Sequence, residues 1–165
     1  MKRLLRFSMM AIVWTATMFA QPKGSGFRKA YIGAYGLVHV VNGAGKDLPM
    51  AKEEGQVSVS SPLVAPDGRT AGWMVEEDNC CTSYPIATSV AIYSGKGRYL
   101  LGDGLMIYDW CYVGDGAEVA VSTGTVHGMT YRHLLLYSAG SGRLLKHWDG
   151  DFEATAPVWW RGLKE

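Results

Sequence analysis

The side chains able to do chemistry fall in two short stretches of the chain. Cys80 and Cys81 are adjacent with Tyr84 close behind, and Thr125, His127, Tyr131 and His133 follow one another further on. Cys111 stands alone between them. A thiolate is a strong nucleophile and an imidazole is its natural base, so Cys80 or Cys81 with His127 is the one pairing that would support covalent catalysis. The same three side chains are of metal-ligand type. They lack the Cys-x-x-Cys spacing that lets two thiolates face one zinc, so no metal site is expected. No Gly-x-Ser-x-Gly elbow, phosphate-binding glycine loop or His-Glu-x-x-His helix occurs, and no cofactor is implied. A binding or protein-interaction module therefore ranks ahead of a thiol enzyme or a metal protein built on Cys80, Cys81 and His127.

What those residues do depends on where the chain is sent. Lys2, Arg3 and Arg6 precede an uncharged run from Phe7 to Gln21, the pattern of a secretory signal peptide over residues 1–20. A membrane span needs about 20 apolar residues. This run is shorter and already contains Ser8, Thr15 and Thr17. Cleavage after Ala20 leaves Gln21 first, although Met18 is bulky for the position three before the cut, so an uncleaved anchor stays open as the alternative. The exported product is expected to be periplasmic or secreted. Losing the three basic residues turns a formal charge of +1 into −2. Nucleic acid and anionic membrane surfaces then have no electrostatic claim on it. In an oxidising compartment thiols pair, and an odd number leaves one over. Three outcomes remain open: a strained bridge between Cys80 and Cys81, a bridge from either to Cys111, or no bridge.

The elements that must position these residues are strands. Beyond a flexible leader at 21–29, residues 30–165 form a single domain in which glycine recurs about every eight to twelve residues. Short runs rich in Val, Ile, Tyr, Trp and Thr lie between, which predicts antiparallel β structure. Strands are expected at 30–35, 37–41, 57–65, 70–76, 89–93, 98–101, 106–113, 117–123, 134–137 and 143–148. No window carries a helical stripe. Trp73, Trp110 and Trp148 fall inside strands and are expected to fill the core. Asp67, Asp103, Asp115 and Asp149 each precede a glycine, the mark of a turn.

Two copies of one unit run through this domain, at about 57–104 and 105–151. Pro66-Asp67-Gly68-Arg69 matches Gly114-Asp115-Gly116-Ala117, and Tyr93-Ser94-Gly95 through Gly97-Arg98 matches Tyr137-Ser138 through Gly142-Arg143. Four strands in about 45 residues is the size of a propeller blade. On these motifs the chain resembles the repeats of TolB-type and WD-type β-propellers, in which a Pro-Asp-Gly turn joins inner strands and a Gly-Arg step opens the outer one. It is also similar to a group of small exported bacterial proteins of unknown function that carry a Cys-Cys-Thr-Ser-Tyr-Pro stretch, as Cys80 to Pro85 do here. That likeness implies export and no activity.

A closed propeller uses four or more blades, whereas this chain has room for two. The expected architecture is all-β and antiparallel: a partial propeller or a two-sheet sandwich. Its sheet edges need cover, from the N-terminal strands and the 152–160 tail as a third sheet, from face-to-face packing, or from a second copy in a homodimer. Equivalent positions in equivalent repeats place the two long loops on one face, which gathers Cys80, Cys81, Tyr84, Thr125, His127, Tyr131 and His133. This face is the expected contact for an unknown protein or small-molecule ligand.

Overall fold

The computed structural model describes residues 26–128, 131–151, 156–157 and 160. The expected signal peptide over 1–20, with its cleavage point, lies outside them. Among the described residues the strands are β1 (Phe27–Ile32), β2 (Val38–Asn42), β3 (Asp47–Pro49), β4 (Gln56–Val64), β5 (Ala71–Glu77), β6 (Ile86–Tyr93), β7 (Arg98–Leu101), β8 (Met106–Val113), β9 (Glu118–Gly124), β10 (Tyr131–Ser138) and β11 (Leu144–Asp151). They form three antiparallel sheets with orders β1-β2-β3, β4-β5-β6-β7 and β11-β10-β9-β8. Among the described residues no barrel closes, and no helix is long and apolar enough to cross a membrane.

Alternation of side chains explains how the sheets stack. On β5, Ala71, Trp73 and Val75 point to one face and Met74 to the other; on β6, Ala91 opposes Val90 and Ile92. A strand whose successive residues are all apolar is buried on both sides. The first face packs against Val38 and Val40 of the first sheet. The second packs against Trp110, Val119, Val121, Leu135 and Tyr137 of the third. The far side of the third sheet, with Ala120, Leu134 and Leu136, lies under Ala156 and Trp160. The sheets are therefore three layers in chain order. Among the described residues, the first sheet covers one end of the stack and Ala156 with Trp160 the other.

Each four-stranded sheet corresponds to one repeat, and the two Asp-Gly turns meet. Gly68 and Gly116 have φ of +69° and +95°, where a side chain is strained. A Cβ on Gly116 would stand 2.9 Å from Ala65 Cβ and 3.1 Å from Asp67 Oδ1, so the turn of the third sheet rests on that of the second. Strands β5 and β9 leave those turns in the same sense. Their far ends, with the loop over 78–85, residues 125–128 and the crossover from β7 to β8, share the opposite rim.

Several boundaries differ from expectation; β6, β10 and β11 each reach three residues further at one end. Phe27, Arg28 and Lys29, expected in the leader, open β1, because the Phe27 ring packs against Tyr93 at 5.4 Å and its N–H donates to Gly68 O at 2.6 Å. Tyr35, expected at the end of that strand, has φ +62° and is 94% exposed, so it turns the chain instead. The third strand, β3, was not anticipated. Three residues give no alternation to read; the Tyr31 hydroxyl donates to Asp47 Oδ2 at 2.7 Å and His39 Nδ1 lies 3.0 Å from the same atom, which ties β3 to its neighbours.

Candidate functional site

The loop between β5 and β6 carries the vicinal cysteines at the surface. Asn79 Oδ1 accepts the Cys81 N–H at 2.7 Å, and Thr82 Oγ1 donates to Tyr84 O at 2.6 Å, so the loop is built from two local turns. The Cys80 and Cys81 Sγ atoms lie 3.0 Å apart, in contact and unbonded, since a disulfide requires about 2.05 Å. The hydrogen bond with Cys80 pushes the Cys81 thiol above its ordinary range, with the neighbouring sulfur's charge and burial adding to it. Cys111 lies on β8 against the outermost core layer, on the far side of the third sheet. Burial, and then the charge of Asp109, raises its thiol as well. All three are free thiols in this structure. Neither shifted thiol is poised as a thiolate at neutral pH.

The loop between β9 and β10 is pinned from below. The Tyr108 hydroxyl reaches the carbonyls of Thr125, at 2.5 Å, and Gly128, at 2.9 Å. The Arg132 guanidinium lies 3.5 Å over the Tyr108 ring and donates to Gly128 O at 2.7 Å. His127 projects from this loop and is exposed. Cys80, Cys81 and Tyr84 thus lie on the loop between β5 and β6, and Thr125 and His127 on the loop between β9 and β10. The metal-sized group among the described residues contains neither cysteine, nor His127.

His133 and Tyr131 belong to a different constellation. Asp149 on β11, His133 on β10 and Thr123 on β9 are direct cross-strand partners, so they form a row on the face turned toward the second sheet. His147 lies two residues before Asp149 and therefore on the same face. Asp103 reaches the row from the β7–β8 crossover. Its Oδ2 accepts from Thr123 Oγ1 at 2.9 Å and lies 3.1 Å from His133 Nδ1. Asp149 Oδ1 is 3.4 Å from His133 Nδ1 and 2.6 Å from His147 Nε2. The Tyr131 ring meets His133 edge-on at 5.8 Å.

Beside this row a cleft of about 460 Å³ opens between the second and third sheets. Leu105, Leu135, Leu144 and Tyr137 give it an apolar floor, and Asp103, His133 and His147 wall one end. The Tyr137 hydroxyl donates to Gly102 O at 3.1 Å. Burial, followed by the Asp103 charge, raises that phenol above its usual value and outweighs the opposing effect of the Gly102 bond. It stays a donor at neutral pH.

One of the four aspartates expected to mark turns needs correction. Asp149 sits within β11, paired with His133. Asp103 does hold a turn, accepting the Leu105 N–H at 3.2 Å, and it also bridges Thr123 and His133. His147 was missed. Its signal was present in the sequence: His-x-Asp at a spacing of two puts both side chains on one face of a strand. No family model matches the chain, and the curated proteins compared with it give no match.

Proposed function

We propose that the protein is an exported binding module that takes a small amphiphilic ligand in the cleft between its second and third sheets. The observation that carries this reading is the cleft's division into an apolar floor and a convergent polar end, at about 460 Å³. Small-molecule sites share this make-up and run from about 300 to 1,000 Å³. The polar end offers carboxylates and imidazoles, which orient a ligand by hydrogen bonding, and the described lining holds no cysteine or serine. Export is supported by the basic start at Lys2, Arg3 and Arg6 and the uncharged run behind it. The test is an amide NMR screen of the labelled protein against a library of small amphiphiles. Shifts are expected to gather at Leu105, Leu135, Tyr137 and Leu144. A library that moves only other surfaces, or none, overturns the reading.

A second reading has one observation in its favour. The exposed Cys80 and Cys81 sulfurs touch at 3.0 Å, which suits thiol chemistry, with His127 on a loop of the same rim. The raised Cys81 thiol weighs against it. Thiol titration with and without reductant separates the two: a rapidly reacting thiolate at neutral pH favours the thiol enzyme, and slow thiols or a reducible bridge favour the binding module.

A further inference from the structure

We propose that His133, His147 and Asp149 bind a divalent transition-metal ion, zinc before others, at the polar end of the cleft. The inference rests on the reading of the cleft as a binding site and names what its polar end holds. One ligand atom from each residue lies within 4.8 Å of the other two. Zinc holds nitrogen and oxygen ligands at about 2.0–2.2 Å, which sets them roughly 3.4 Å apart around a tetrahedron. The His133 Nδ1 to Asp149 Oδ1 separation is already 3.4 Å. The 2.6 Å contact between His147 and Asp149 must open, and His147 has a side chain 47% exposed on the edge strand β11, which leaves it room to swing.

The donors are held by sheet rather than loop, which makes for a rigid site. His133 and Asp149 face each other across neighbouring strands, and His147 shares the strand and face of Asp149. Two imidazoles and a carboxylate select zinc and its neighbours over calcium or magnesium, which prefer oxygen alone. Three protein ligands leave a fourth position open, and here it faces the cleft. Asp103 stands 3.1 Å from His133 Nδ1, held by the hydroxyl of fully buried Thr123 at 2.9 Å. That bond holds Asp103 beside the same His133 nitrogen, next to the three-ligand group rather than behind it. A surface cluster of His–Asp ion pairs is the competing account, and it predicts no metal.

The experiment is zinc titration by calorimetry on the purified protein and on a C80S/C81S variant, which removes the two exposed thiols as a source of binding. One zinc per chain is expected in both. His147→Ala and Asp149→Ala should each weaken binding at least tenfold, and cobalt loaded in place of zinc should give the visible absorption of a four-coordinate site. His147→Ala carries the decision even if a change at buried positions disturbs folding, because circular dichroism of the metal-free variant reports its fold directly. No zinc bound by the C80S/C81S protein, or parental affinity in a folded His147→Ala variant, overturns the metal site. Failure of zinc with amphiphiles still seated on the Leu105 to Leu144 floor removes the metal and leaves the cleft reading. Zinc bound with no amphiphile on that floor does the reverse.

Discussion

At the scale of single residues, the contact between the two repeats is the sharpest feature, and Gly116 is where it can be broken. A valine there must adopt φ near +95° and push its Cβ to within 2.9 Å of Ala65. Gly116→Val should therefore cost more than the roughly 1 kcal/mol typical of a point change and lower Tm by several degrees. Gly97→Ala is the control. Its added Cβ meets nothing within 4 Å and its φ is not in the left-handed region, so a near-parental Tm is expected. Equal melting of parent and Gly116→Val would mean that the turns do not bear on one another. Asp-Gly pairs are legible in a sequence because positive φ selects glycine. The histidine–aspartate row was only half legible for a related reason. His133 was noticed by its nearness to His127, whereas its true partners, Asp103, His147 and Asp149, come from other strands, and cross-strand register is not written in local spacing.

At the scale of elements, strands buried on both faces announced themselves by unbroken apolar runs, and β7 and β8 appear at the expected bounds, Arg98–Leu101 and Met106–Val113. Strands held by side-chain contacts did not, and β3 is the plainest case. Its anchor is Asp47, whose carboxyl is held below its ordinary value of 3.8 chiefly by the Tyr31 hydroxyl; burial opposes this as the next effect, and the hydrogen bond and charge of His39 and the Leu48 N–H add to the lowering. The consequence for stability has a definite sign. A carboxyl with a depressed value in the folded state contributes stability that is fully present above 3.8 and lost as pH falls through the lower folded value. Asp47→Asn should melt below the parent at pH 6. The gap should close as the pH is brought below 3.8, since the parent then loses the same contribution. A gap that persists unchanged into acid would show that the anchor is steric rather than ionic. The Tyr31–His39–Asp47 group lies on the outer face of the first sheet, so loosening it is expected to leave the cleft intact.

At the scale of the whole molecule, three open sheets raise the question of what stops their edges from pairing with another chain. Three sheets have six edge strands: β1, β3, β4, β7, β8 and β11. Two are too short to template a partner, β3 with three residues and β7 with four. The other four are each interrupted. Strand β1 bulges between Phe27 and Lys29, β8 between Ile107 and Asp109, and β11 at Leu145, where Lys146 and Leu144 pair with successive residues of β10. Strand β4 bulges twice, holds Ser61 at φ +51°, and carries Pro62, which has no N–H to give a neighbour. Bulges, shortness and proline are the devices by which natural sheets blunt their edges. The flat faces at the ends of the stack tell the same way on one side, since Trp160, 2% exposed, and Ala156 cover the third sheet. A homodimer through sheet edges, one of the arrangements open from the sequence, is therefore disfavoured, and the protein is expected to sediment as a monomer. Sedimentation velocity across a hundredfold range of concentration should give one species at the mass of a single chain. A concentration-dependent shift to twice that mass would overturn the argument. A variant with Pro62→Thr, which restores a donor to β4, should be the first to acquire such a shift, because it removes the strongest block on the longest edge.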